Sequence, residues 1–103
     1  MIKVTVLYPN EENKNFDMKY YFDTHMPLVR KLVGDACKKV EAEKGIAGGT
    51  PGSKPMYHII AHFHYDTVED FIAAFNPHAT AIFGDIPNFT DITPVIQISE
   101  VVL

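Results

Sequence analysis

Residues Met56 to Phe75 read MYHIIAHFHYDTVEDFIAAF. The first half alternates. Tyr57, Ile59, Ala61 and Phe63 fall on one side, and Met56, His58, Ile60, His62 and His64 on the other, the two-residue period of a half-buried strand. After Tyr65 the period changes: Asp66 and Thr67 supply a helix cap, and Phe71 and Phe75 stand one helical turn apart. A strand that runs straight into a helix is half of a βαβ unit, so the fold turns on whether the rest of the chain repeats it.

Upstream it does. Ile2, Val4, Val6 and Tyr8 alternate with Lys3, Thr5 and Leu7 until Pro9-Asn10 ends the run, which predicts a first strand. From Asp17, a good N-cap, apolar residues at Met18, Phe22, Val29, Leu32 and Val33 form a helical stripe that stops at Gly34. A weaker strand over roughly Ala36 to Ile46 leads into AGGTPGSKP, a hairpin connection with no phosphate-binding pattern. Downstream of Phe75 come Pro77, a short helical piece to Phe83, the turn GDIPN, and a β-branched run from Val95 to Leu103. The order βαββαβ predicts an α+β, ferredoxin-like sandwich: four antiparallel strands with both helices on one face.

At 103 residues and 47% hydrophobic, the chain is the size of one domain, residues 1–103, able to bury roughly two-thirds of its unfolded surface. The net charge is -4 and no basic run exceeds Lys38-Lys39, so nucleic acid is not expected as a partner. Cys37 stands alone and cannot make an internal disulfide. The opening MIKVTVLY lacks a signal-peptide layout and no apolar run reaches membrane-spanning length, so the expected setting is cytoplasmic, with no membrane partner. Two helices cover only one face of such a sheet. The other would expose Leu7, Met56, Ile60, Val95 and Val101, which predicts a homodimer through that face.

Histidine placement carries the functional reading. At about 100° per residue from Met18, His25 falls at about 340°, beside Val29 at about 20° and Phe22 at about 40°, in the centre of the apolar stripe. Pro27 has no N–H for the Asp23 carbonyl, which predicts a kink just after His25 and free acceptors beside its ring. Phe71, Phe75, His78 and Ile82 repeat the spacing of Met18, Phe22, His25 and Val29, with Pro77 beside the histidine. Each half thus aims one imidazole at the space between helices and sheet. A core histidine satisfied by a carbonyl is the ordinary outcome. Two in matching places favour a polar or wet cavity, because unsatisfied polar groups on both inner helix faces are costly. Imidazole, with an ordinary pKa of about 6.5, can act there as general base or acid, so His25 and His78 are the catalytic candidates. Tyr8, Phe22, Phe75 and Phe89 are candidate walls for a small hydrophobic ligand, Tyr8 also as an assisting group.

The His62-x-His64 spacing can place two ligands on one metal. No third ligand can be placed, however, and that parity faces away from the helices, so no metal is expected. With the faces reversed, His58 and His62 would instead meet His25. There is no G-x-S-x-G, G-x-G-x-x-G or C-x-x-C, and Cys37 among Asp35, Lys38 and Lys39 is not placed as a nucleophile.

With these residues in view the sequence resembles the EthD family. YYFDTHMPLV is similar to that family's Tyr/Phe, His and Pro-Leu pattern, and FGDIPNFTDITPVIQISEV to its closing Asp-Ile-Pro-Asn-Phe-Thr and Pro-Val-x-Gln stretch. The resemblance covers nearly the whole chain. It implies the dimeric α+β barrel superfamily, whose members include cofactor-free monooxygenases, an isomerase and polyketide cyclases that hold substrate between sheet and helices. It matches His25 to the family histidine and Asp85, Asn88 and Phe89 to the closing motif, where a plain Asx-bonded turn is the expected role of Asp85 and Asn88, and Phe89 can also plug the core. Three readings follow: a cofactor-independent enzyme with oxygenase-like or proton-transfer chemistry on a hydrophobic or phenolic metabolite; an accessory protein that binds such a molecule for an oxidative system such as ether degradation; and an imidazole metal or haem site.

Overall fold

The structure is a computed structural model that describes all residues 1–103. Its strands are β1 (Ile2–Pro9), β2 (Lys39–Lys44), β3 (Tyr57–Tyr65) and β4 (Val95–Glu100). Between β1 and β2 run α1 (Met18–Tyr20), a π-helical turn (Tyr21–His25) and α2 (Met26–Val33); between β3 and β4 run α3 (Val68–Phe75) and α4 (Ala79–Asp85). The sheet order is β2-β3-β1-β4 and every neighbouring pair is antiparallel, as a βαββαβ chain requires when each helical crossover skips one strand. The chain therefore has the expected ferredoxin-like α+β fold.

The caps follow the sequence. The Asp17 carboxylate accepts from the Tyr20 amide and the Thr67 hydroxyl from the Asp70 amide, so each helical layer starts on a satisfied N-terminus. Gly34 ends α2 at φ 66 and ψ -153, a conformation open to glycine alone. Two strands are shorter than the hydrophobic pattern suggests. Residues Gly34–Ala36 form a 3-10 turn before β2, and β4 ends at Glu100, leaving Val101–Leu103 exposed beyond the sheet.

Strand parity is as read from the sequence. Val4, Tyr8, Ile59, Ala61, Phe63 and Tyr65 form the inner face and pack with Met26, Val29, Val33 and Ile82 from the helices. Helical cover stops short of the β4 edge, where Ile96 and Ile98 pair with Val6 and Val4 yet stay 43% and 45% exposed. On the outer face the register aligns three rows: Glu43, Ile60, Leu7 and Val95; Glu41, His62, Thr5 and Gln97; Lys39, His64, Lys3 and Ser99. Only the first row is largely apolar. The outer face is thus more polar than the list of its exposed hydrophobics implied, with His62 bonded to Glu43 at 2.9 Å and His64 to Glu41 at 3.0 Å.

The closing segment ties the layers together. Phe16 and Thr90 form an antiparallel bridge, the Asp17 amide donates to the Phe89 carbonyl at 2.7 Å, and the Thr90 hydroxyl donates to the Asn15 carbonyl at 2.6 Å. These bonds hold the start of the first helical layer against residues 89–90 and so bring Tyr20, His25 and Asp85 within reach of one another.

A Cβ at Gly34 would meet nothing within 4 Å, so Gly34→Ala tests backbone strain alone. The expected cost is about 1–3 kcal/mol, seen as a lower urea midpoint with an unchanged slope.

Candidate functional site

His25 is 4% exposed at the end of the π turn, where the Met26 amide reaches the Tyr21 carbonyl five residues back. Such wide turns recur at functional sites. Here the wide turn lies just ahead of Pro27, which cannot donate, and it takes the place of a simple kink. The His25 ring is held by a side chain from the other helical layer: Nδ1 lies 2.9 Å from Asp85 Oδ2. Asp85 Oδ1 accepts from the Tyr20 hydroxyl at 2.6 Å and from Asn88 Nδ2 at 2.9 Å. Phe89 packs on the imidazole with ring centres 4.5 Å apart, and Tyr21 stacks on it at 5.7 Å.

Charge states follow from these contacts. Burial lowers the His25 pKa below its ordinary 6.5, against the opposing hydrogen bond and charge of Asp85. Burial pushes the Asp85 carboxyl up, yet hydrogen bonds from Tyr20, Asn88 and His25 outweigh it and leave the group below its ordinary 3.8. At neutral pH the pair is therefore a neutral imidazole and a carboxylate. A carboxylate only accepts, so Nδ1 carries the proton and Nε2 is an unprotonated base with no partner in the chain.

The ring borders a cavity of about 130 Å³ between helices and sheet. Its walls are apolar and largely aromatic, with Phe63, Phe71, Phe75 and Phe83 joined by Tyr8, Tyr21 and Tyr65, and it reaches the uncovered edge at Ile96. Burial raises the phenol pKa values of Tyr8 and Tyr21, so both remain O–H donors through the physiological range. No three His, Cys, Asp or Glu side chains gather as a metal site, and no helix is long and apolar enough to cross a membrane.

The EthD domain matches residues 10–93, a span that includes the His25 turn, Asp85 and the closing motif. The chain belongs to the EthD family. It is similar to an EthD-like protein from Ralstonia eutropha, at 48% identity and a TM-score of 0.93, covering 99% of this chain and 92% of that one. An ethyl tert-butyl ether family protein from Bacillus halodurans has the same fold at 21% identity and a TM-score of 0.69, with 99% of each chain covered. A putative antibiotic biosynthesis monooxygenase from Bordetella bronchiseptica shares the fold at 13% identity and a TM-score of 0.55, covering 99% of this chain and 96% of that one. No curated protein matches the chain.

Within this EthD chain the residues singled out in the sequence part company. His25, Tyr8 and Phe75 line the cavity. Phe89 is buried behind the imidazole and supports it from outside the cavity. Phe22 is 41% exposed and does not reach the cavity, because the π turn breaks the uniform 100° spacing and gives the inner position to Tyr21. His78 is also absent from the cavity wall: it ends the 3-10 turn Asn76–His78 with φ -117 and ψ 4, and that change of winding takes it off the line of Phe71, Phe75 and Ile82. His62 and His64 lie on the outer face, and His58 packs on Phe16, so none of the three joins His25. Tyr20, Tyr21 and the carboxylate role of Asp85 are additions; the paired tyrosines of YYFDTH and the Asp of GDIPN were the only signal for them.

Both titrations have the same sign for stability. The folded state resists protonating His25, so stability falls as pH drops below about 6.5, and the Asp85 contribution is then lost as pH falls through its folded value. Thermal unfolding followed from neutral pH downwards is expected to show both losses, and Asp85→Asn to remove the second. In the same variant nitrogen NMR is expected to show His25 titrating at lower pH with a mixed tautomer. An unchanged tautomer would mean that Asp85 does not orient the ring.

Proposed function

We propose that this EthD-family chain binds a small hydrophobic molecule in the cavity and moves a proton on it with His25, without a cofactor. The observation that carries this reading is the buried Asp85–His25 pair, which leaves Nε2 as a free base at an apolar cavity. His25 would take a proton from the ligand through Nε2, Asp85 would stabilise the resulting imidazolium, and the same proton could return to another ligand atom. Apolar walls that limit water around the pair strengthen each of these interactions. Oxygenase-like chemistry is compatible with the same first step, since removing a proton from an electron-rich ring prepares it for attack by dioxygen.

One observation favours a second, accessory reading. With His78 outside, His25 is the single imidazole at the cavity, so the site could sequester a hydrophobic intermediate for an oxidative pathway such as ether breakdown. A panel of small hydrophobic ketones, quinols and alcohols, scored for turnover and for solvent-proton exchange, separates the two. The catalytic reading expects His25→Ala to lower the rate by about a hundredfold or more while binding is kept. Binding without turnover by the wild type would favour the accessory role, and turnover untouched by His25→Ala would remove His25 as the acid or base.

The reading includes a cytoplasmic homodimer joined through the outer sheet face. The apolar row Ile60, Leu7 and Val95, flanked by Lys3, Lys39, Glu41 and Glu43, offers both buried area and charges that a two-fold partner can complement. Light scattering at micromolar concentration is expected to give twice the chain mass, with Leu7→Asp shifting it to the monomer while far-ultraviolet dichroism is retained. A wild-type monomer would sink the dimer.

A further inference from the structure

Two buried hydroxyls at the cavity have no role in the proton relay described above. Tyr8 is 2% exposed and Tyr21 is 1% exposed, both line the cavity, and their rings pack edge to face at 5.9 Å. Neither hydroxyl is hydrogen-bonded within the chain, in contrast to Tyr20, whose hydroxyl is given to Asp85. Every fully sealed side-chain nitrogen or oxygen has a partner, so the two free hydroxyls and His25 Nε2 keep some contact with open space, and all three residues line the cavity. Three residues with a polar atom left unpaired by the chain, gathered around one otherwise apolar chamber, suit a ligand that completes them.

We infer that the ligand is a single-ring phenol, held with its hydroxyl among Tyr8, Tyr21 and His25. A hydroxyl has one proton to donate and two lone pairs that accept. Nε2 can only accept, and the Tyr8 and Tyr21 hydroxyls can each donate as well as accept, so one ligand hydroxyl can satisfy all three. A ketone or an ether has no proton for Nε2, and a hydrocarbon satisfies none of the three. The volume of about 130 Å³ is close to that of apolar cavities, about 150 Å³, that hold a benzene-sized guest. Phe63, Phe71 and Phe75 supply ring faces and edges for aromatic packing.

The choice of a phenol over an aliphatic alcohol rests on the proton-transfer reading above. A phenol with an ordinary pKa of about 10 can give its proton to imidazole, whereas an alkanol is far too weak an acid. In that step the ligand O–H bond breaks, an Nε2–H bond forms, and the electron pair stays on the ligand oxygen, where the Tyr8 and Tyr21 hydroxyls stabilise it as they would any oxyanion.

Calorimetric titration with phenol, 4-nitrophenol, cyclohexanol, anisole and toluene tests the ligand class. Phenol is expected to bind at least about tenfold more tightly than toluene, anisole or cyclohexanol, and Tyr8→Phe and Tyr21→Phe each to lose about tenfold for phenol. Toluene affinity, kept in both variants, reports that the cavity is still folded. Toluene or cyclohexanol binding as tightly as phenol, or phenol affinity unchanged in both variants, would overturn the inference. The visible band of 4-nitrophenolate, read at a pH low enough that the free nitrophenol is protonated, distinguishes the two proposals. Tyrosine-dependent binding of a nitrophenol that stays protonated supports the phenol site and removes His25 as its base, while a phenolate band that vanishes in His25→Gln supports both.

Discussion

The carboxylate of Asp85 is the contact on which the site depends. It arises in the second helical layer, yet the donors it gathers come from both layers: His25 and Tyr20 from the first, Asn88 from its own turn. Three donors on one partly buried group keep it ionised, and an ionised group can hold only one tautomer of the imidazole. Because the two helical halves are separate in sequence, this small network also ties them to each other. The cavity lies between these helices and the sheet, with Phe89 packed on the imidazole from outside it.

The architecture around it was legible to different degrees. Strands β1 and β3 alternate cleanly and their parity determines which face carries the helices, so the sheet and the inward position of His25 could be read from the pattern of Val4, Tyr8, Ile59 and Phe63. The EthD resemblance rested on local words, YYFDTHMPLV and FGDIPNFT, and those words lie where the two halves of the site meet. What the pattern could not carry was winding. A uniform helical angle assigned Phe22 and His78 to the interior, and in each case a turn of different pitch beside a proline rotated the residue away. Tyr21 and Asp85 escaped for a related reason. In sequence Tyr21 is one aromatic among several and Asp85 a turn residue, and only the fold shows that the turn faces the imidazole.

The division of polar work between the two faces of the sheet follows from that parity. Inside, a few polar atoms sit among aromatic rings, and each counts for much because nothing else there can compensate for its loss. Outside, imidazoles and carboxylates are spread along the strands in pairs, where water is near and any one pair contributes little. A single histidine-rich strand, β3, therefore presents three imidazoles of which none meets the cavity, and the one imidazole that does comes from a helix.

The pairs on the outer face have a consequence for how the sheet assembles. Strand β2 brings little hydrophobic information: Val40 is half-buried and its other residues are exposed. The connection from Gly45 to Met56 is too long to impose alignment as a tight turn would. A slide of β2 by one position along β3 would turn Glu41 and Glu43 to the helix side, opposite Ala61 and Ile59, and break both of their bonds to His64 and His62. His62 and His64 thus act as a ratchet for the hairpin, accepting one alignment of the edge strand and penalising its neighbours, although neither touches the chemistry on the far side of the sheet.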